Sequence, residues 1–141
     1  MAHPSDASDA SLTRRQAAIL AFLGAVLWFL AAVLLRYLGP LGIHDGTARF
    51  ILYAAIIPGT VPFIFLLQWA SGIARSQVAI GASLATASAL LLDGIAVAWF
   101  PGLYGAEMPL VLGASTAILW GAGVAIFLGF AISKTIGAEA A

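Results

Sequence analysis

The sequence predicts an all-α integral membrane bundle of four transmembrane helices with both termini cytoplasmic. Three observations carry that prediction. The 141 residues are 62% hydrophobic and only 9% charged, with a mean hydropathy of +1.06, against the roughly one-quarter charged residues of average soluble domains. A chain this short has too little interior to hide so much apolar surface from water. The apolar residues form four continuous runs of near-spanning length, with no alternation of the kind that marks membrane β-strands.

The chain divides into a polar head at 1–13, a transmembrane domain at 14–136 and a short tail at 137–141. The head, MAHPSDASDASLT, has little to bury and is expected to be disordered. The spans run from about 17–38, 50–69, 78–100 and 110–132. Each is close to the ~20 residues that cross ~30 Å of hydrocarbon as a helix. Gly39 and Pro40 end the first, and Gly42, Asp45 and Gly46 continue the turn. Pro101 ends the third, because proline extends no helix beyond its first turn. Pro109 suits the first position of the fourth.

Direction follows from lysine and arginine near the span ends. Arg14, Arg15, Arg75 and Lys134 share one side, and Arg36 and Arg49 share the other with Asp45 and Glu107. The excess places both termini in the cytoplasm. Tyr37, Tyr53, Trp99 and Tyr104 outside, with Trp69 inside, fit interfacial aromatic belts. The stretch LTRRQAAIL has twin arginines, but the long apolar run after it lacks an A-x-A cleavage site, so it reads as a retained first helix.

Helices in lipid associate through close backbone contact, which small residues permit. The fourth span carries Gly113, Ala117, Gly121, Ala125, Gly129 and Ser133 at every fourth position. The third carries Gly81, Ala85 and Ala89, and the next member of that row is Asp93. Residues four apart share a helix face, so Asp93 is expected to point into the bundle. In the second span, IIPGTVPF, Pro58 and Pro62 leave the carbonyls of Ala54 and Pro58 without their usual donors. A kink is expected, either tolerated with help from Thr60 or neighbouring helices, or forming a midplane binding site.

A charged aspartate near mid-helix costs about 2–3 kcal/mol on insertion scales, so Asp93 should be neutral, paired or functional. Arg36 and Arg49 lie toward the same side and suggest a structural ion pair, Arg36 being the nearer candidate. A proton or substrate pathway is the competing role. A catalytic role lacks support, because no second carboxylate, histidine or nucleophile joins Asp93 in the membrane.

Composition excludes other classes. The chain has no cysteine, hence no disulfide or thiolate chemistry. Formal net charge is zero and no basic cluster exists, which argues against nucleic acid as a partner. His3 and His44 lie outside the spans, so haem ligation within the bundle is not expected. No metal or other cofactor is expected.

The stretches LLLDGIAVAWFPGLYG and VLWFLAAVLLRYLG resemble a family of small bacterial inner-membrane proteins with four helices, a domain of unknown function. The resemblance rests on Trp28 and Arg36 in the first helix, Asp93, Phe100, Pro101 and Tyr104 in and after the third, and Trp120 in the fourth. It covers about residues 20–129. It implies architecture and a multi-pass location in the inner (plasma) membrane, and no activity.

Two functions follow as expectations. One is a structural or accessory subunit, held in the lipid bilayer and associating with a larger membrane complex or with its own copies. The other is a small transporter or channel-like protein that uses Asp93 and the proline-interrupted second helix.

Overall fold

A computed structural model describes residues 11–135 as an all-helical bundle. The order is α1 (Arg14–Leu38), α2 (Gly46–Ser71), α3 (Val78–Trp99) and α4 (Met108–Thr135), with single 3-10 turns at Gly39–Leu41, Arg75–Gln77 and Pro101–Leu103. All four helices are long and apolar enough to cross a membrane. Residues 1–10 of the head at 1–13, and residues 136–141, lie outside the described residues; the end of the head is not disordered as expected, since Thr13 caps α1 and the Ser11 carbonyl accepts from Gln77.

Helices α1, α2 and α4 start earlier than the apolar runs, and α3 starts with its run at Val78. Thr13 caps α1: its hydroxyl accepts from the Gln16 backbone N–H at 3.2 Å, and the Gln16 side chain accepts from the Thr13 N–H at 3.0 Å. This reciprocal pair is a capping box, so the twin arginines form the first turn of α1. Helix α2 ends at Ser71 and is capped by Gly72, whose φ of +65° places it in the left-handed region that glycine tolerates best. Helix α3 stops one residue short of Phe100, before Pro101. In α4 the first residue is Met108, and Pro109 stands second.

Hydrogen bonds tie one end of the bundle together. Gln16 donates to the Gly72 carbonyl at 3.3 Å, and Gln77 donates to that of Ser11 at 2.8 Å. The Ser133 hydroxyl accepts from the Ala79 N–H at 3.0 Å and donates to the Arg75 carbonyl at 3.3 Å. One serine thus satisfies an otherwise orphaned donor in the first turn of α3.

Packing is closest where side chains vanish. A Cβ on Gly24 of α1 would fall 2.2 Å from the Ala85 carbonyl oxygen of α3, so these two backbones touch. On α4 the small residues wind around the helix, because positions four apart drift about 40° per step at 3.6 residues per turn. Gly113 lies under His44, Gly121 faces Ile56 of α2, and Gly129 meets Ala82 and Ala79 of α3. Two apolar clusters result. One groups Ala32, Leu35, Ala96, Tyr104, Val111, Ala114 and Ala117. The other groups Leu20, Ile64, Leu67, Ile73, Val78 and Ala85. Large side chains such as Phe22, Leu91 and Phe127 point outward, which suits lipid as the surrounding solvent.

Helix α2 is continuous through Pro58 and Pro62. Both prolines are exposed. The Thr60 hydroxyl donates to the Ile56 carbonyl at 2.6 Å, not to the freed carbonyls of Ala54 or Pro58. Support also comes from α4: the Trp120 indole N–H donates to the Tyr53 carbonyl at 3.0 Å, and its ring stacks on Tyr53 with centroids 5.5 Å apart.

Candidate functional site

Asp93 and the residues around it form the one acidic centre within the described spans. The residue is 8% exposed and is one of the buried positions of α3, with Gly81 and Ala85 before it and Ala96 after it. Two donors converge on its Oδ1. The Trp28 indole N–H donates to it from 2.8 Å, and the Tyr104 hydroxyl donates from 2.5 Å. The indole nitrogen also lies 3.1 Å from the Tyr104 oxygen, closing a triangle of three side chains from α1, α3 and the α3–α4 connection.

The chain places Tyr104 through the segment FPGLYG. Pro101 ends α3 and starts a 3-10 turn, closed by bonds from the Leu103 N–H to the Phe100 carbonyl at 2.9 Å and from the Tyr104 N–H to the Pro101 carbonyl at 3.0 Å. The turn folds Tyr104 back beneath the helix end, where it is 1% exposed. A Cβ on Gly105 would meet Leu110 at 2.5 Å, so glycine lets α4 begin close beside it. Burial, and after it the bond to the neighbouring carboxylate, push the Tyr104 hydroxyl well above the ordinary phenol range. It therefore stays a proton donor at neutral pH.

Asp93 thus has other partners than the arginines its sequence context suggested. Arg36 and Arg49 are exposed, and neither pairs with it. Arg36 stands eight residues beyond Trp28, some ~12 Å further along α1 and turned about 80° round the helix. At the helix end its guanidinium keeps its water, and drawing it inward to a buried carboxylate would cost several kcal/mol per ion. Tyr104, expected in an interfacial belt, belongs to this buried centre instead. Tyr37, Trp69 and Trp99 remain exposed.

The second oxygen of Asp93 is different. Among the described residues no group donates to Oδ2. It is not sealed in either, since the enclosed side-chain polar atoms without a partner are both on His44. Asp93 lines a cleft of about 480 Å³ that runs between α1 and α2. Its floor is small: Ala85 and Ala89 of α3, Ala117, Gly121 and Ala125 of α4. Leu30 and Leu34 on one lip and Ala55 and Phe63 on the other are exposed, so the cleft opens sideways. Thr60 and Thr86 add hydroxyls, and Asp93 is the one titratable residue in the lining. Helix α2 brings Gly59 and Thr60 to this lining while Pro58 and Pro62 stay outside it. The volume falls within the ~300–1,000 Å³ of small-molecule sites.

His44 is a second buried polar group. It is 9% exposed, and both ring nitrogens are enclosed without partners. A Cβ on Gly113 would come within 2.5 Å of the ring, so glycine there makes room for it. Burial lowers its pKa, Asp45 opposes that shift and Arg49 adds to it. No group of three or more metal-ligating side chains occurs among the described residues.

Comparison of the chain with protein families, with curated proteins and with solved structures finds no match.

Proposed function

We propose that this chain is a small multi-pass protein of the bacterial inner membrane that takes a guest molecule sideways from the bilayer into the cleft between α1 and α2. The single observation behind this reading is the cleft itself: apolar, floored by small residues and open between two helices that are long and apolar enough to cross a membrane. Of the two functions suggested by the sequence, it favours the transporter-like one over the accessory subunit. A guest that is soluble in lipid needs no aqueous path to reach such a site. The excess of arginine and lysine at the end holding Arg14, Arg15, Arg75 and Lys134 supports cytoplasmic termini.

Gentle extraction from native membranes followed by native mass measurement tests this. The chain should carry a non-covalent guest of small-molecule mass. Gly121→Leu, which places a side chain in the cleft, should lose it. A bare chain, or a guest held equally by Gly121→Leu, contradicts the proposal. A stoichiometric protein partner on a chain with an empty cleft returns the accessory-subunit reading.

A further inference from the structure

We infer that the guest is a lipophilic organic monocation, such as a quaternary ammonium, a phosphonium or a protonated lipophilic amine, with its charge held at Oδ2 of Asp93. This inference rests on the cleft being a binding site and adds the chemistry of its occupant. Three features of the lining point to it.

The first is charge. A carboxylate in an apolar membrane site needs neutralising. The two donors to Asp93, an indole and a phenol, are both uncharged and both occupy Oδ1. No cationic residue lines the cleft. Among the described residues none supplies the positive charge that would complement an ionised Oδ2, so a cationic guest can supply it. One acid can balance one positive charge, which selects monocations over dications.

The second is the character of the rest of the wall. Apart from Asp93, Thr60, Thr86 and the Trp28 indole, the lining is aliphatic, phenylalanine or glycine. Small hard metal ions take about six oxygen ligands, which this donor set does not offer. A cation that carries its own apolar substituents asks for a hydrocarbon wall and one counter-charge. The Trp28 indole stands beside the carboxylate, and aromatic rings attract organic cations further.

The third is the fixed position of the acid. Trp28 from α1 and Tyr104 from the α3–α4 connection hold Oδ1 from two directions, which leaves Oδ2 as the acceptor without a donor on a residue that lines the cleft. Pre-positioned charge of this kind lowers the reorganisation needed on binding.

The test uses the purified full chain in an uncharged maltoside detergent, which is free of ammonium groups. The probe is radiolabelled tetraphenylphosphonium, with neutral tetraphenylsilane, of nearly the same shape, as competitor. Wild type should bind the phosphonium saturably, and tetraphenylsilane should displace it at least tenfold less well than unlabelled phosphonium. Asp93→Asn keeps an oxygen for Trp28 and Tyr104 to bond, so it should fold and lose at least tenfold in affinity. Equal displacement by the silane in wild type overturns the cation assignment while leaving the cleft as an apolar site, and it needs no variant. Displacement by phosphatidylethanolamine as effective as by the phosphonium assigns the charge to a lipid headgroup and overturns the inference. Absence of saturable binding in wild type overturns it as well, and the separate retention or loss of a native guest in Gly121→Leu then decides whether the cleft reading survives.

Discussion

At the scale of single residues, the chemistry of the chain is concentrated on Asp93, Trp28 and Tyr104. Removing one partner of a buried hydrogen bond costs about 1–3 kcal/mol, so Tyr104→Phe and Trp28→Phe should each destabilise the folded chain by about that amount in detergent unfolding. Arg36→Gln, at an exposed position, should stay within about 0.5 kcal/mol. If Arg36→Gln is as damaging as Tyr104→Phe, the ion-pair reading returns. His44 carries a pH prediction. Its folded pKa lies below the ordinary 6.5 because burial disfavours the imidazolium. The unfolded chain then binds the proton more readily, so stability is full above the unfolded pKa and falls as pH drops below it toward the folded one. The thermal midpoint should be lower at pH 5 than at pH 8, and His44→Phe should flatten the difference. An equal fall in the variant would place the sensitivity elsewhere. Part of this was legible in the residue order. The row Gly81, Ala85, Ala89 and Asp93 indicates that Asp93 is turned into the bundle, and Asp93 is buried there. The donors were not legible, because the expected remedy for a buried charge is an opposite charge, whereas the fold uses two neutral donors, one of them 65 residues away in sequence. Tyr104 looked interfacial because it lies just past the outer end of the third span, as the other belt aromatics lie near span ends. Only the turn geometry shows that the chain doubles back and buries the ring.

At the scale of the helices, close approach decides which glycines matter. Gly24 faces the Ala85 backbone, which cannot move aside as a flexible side chain can. Gly24→Ala should therefore cost about 1–3 kcal/mol as overpacking. Gly59, with nothing within 4 Å of a built Cβ, should tolerate alanine or gain up to about 1 kcal/mol from helix propensity. Comparing the two variants by unfolding in the same detergent checks the assignment, and equal effects would contradict it. Helix ends were legible where proline and glycine punctuate the chain, as at Phe100–Pro101 and Gly39–Pro40. The start of α1 was less so, since the apolar run begins near Ala17 while the Thr13–Gln16 capping box extends the helix back to Arg14. The prolines of α2 suggested a kink, tolerated or forming a binding site; the helix runs through both of them, and both are exposed.

At the scale of the molecule, composition alone was enough to indicate four apolar helices, because a 141-residue chain with this hydropathy has no aqueous alternative. The cleft was beyond that reach. It depends on α1 and α2 standing apart while α3 and α4 close behind them, and hydropathy says nothing about which neighbours separate. The most direct measurement of the central claim is quenching of Trp28 by lipids brominated along the acyl chain, in a variant with Trp69, Trp99 and Trp120 replaced by phenylalanine. Trp28 is only partly buried and lines the cleft. A cleft open to the bilayer predicts strong quenching that falls when Gly121→Leu fills the site. Trp28 emission untouched by brominated chains, with or without that substitution, would mean that the bundle is closed to lipid and holds no lateral site.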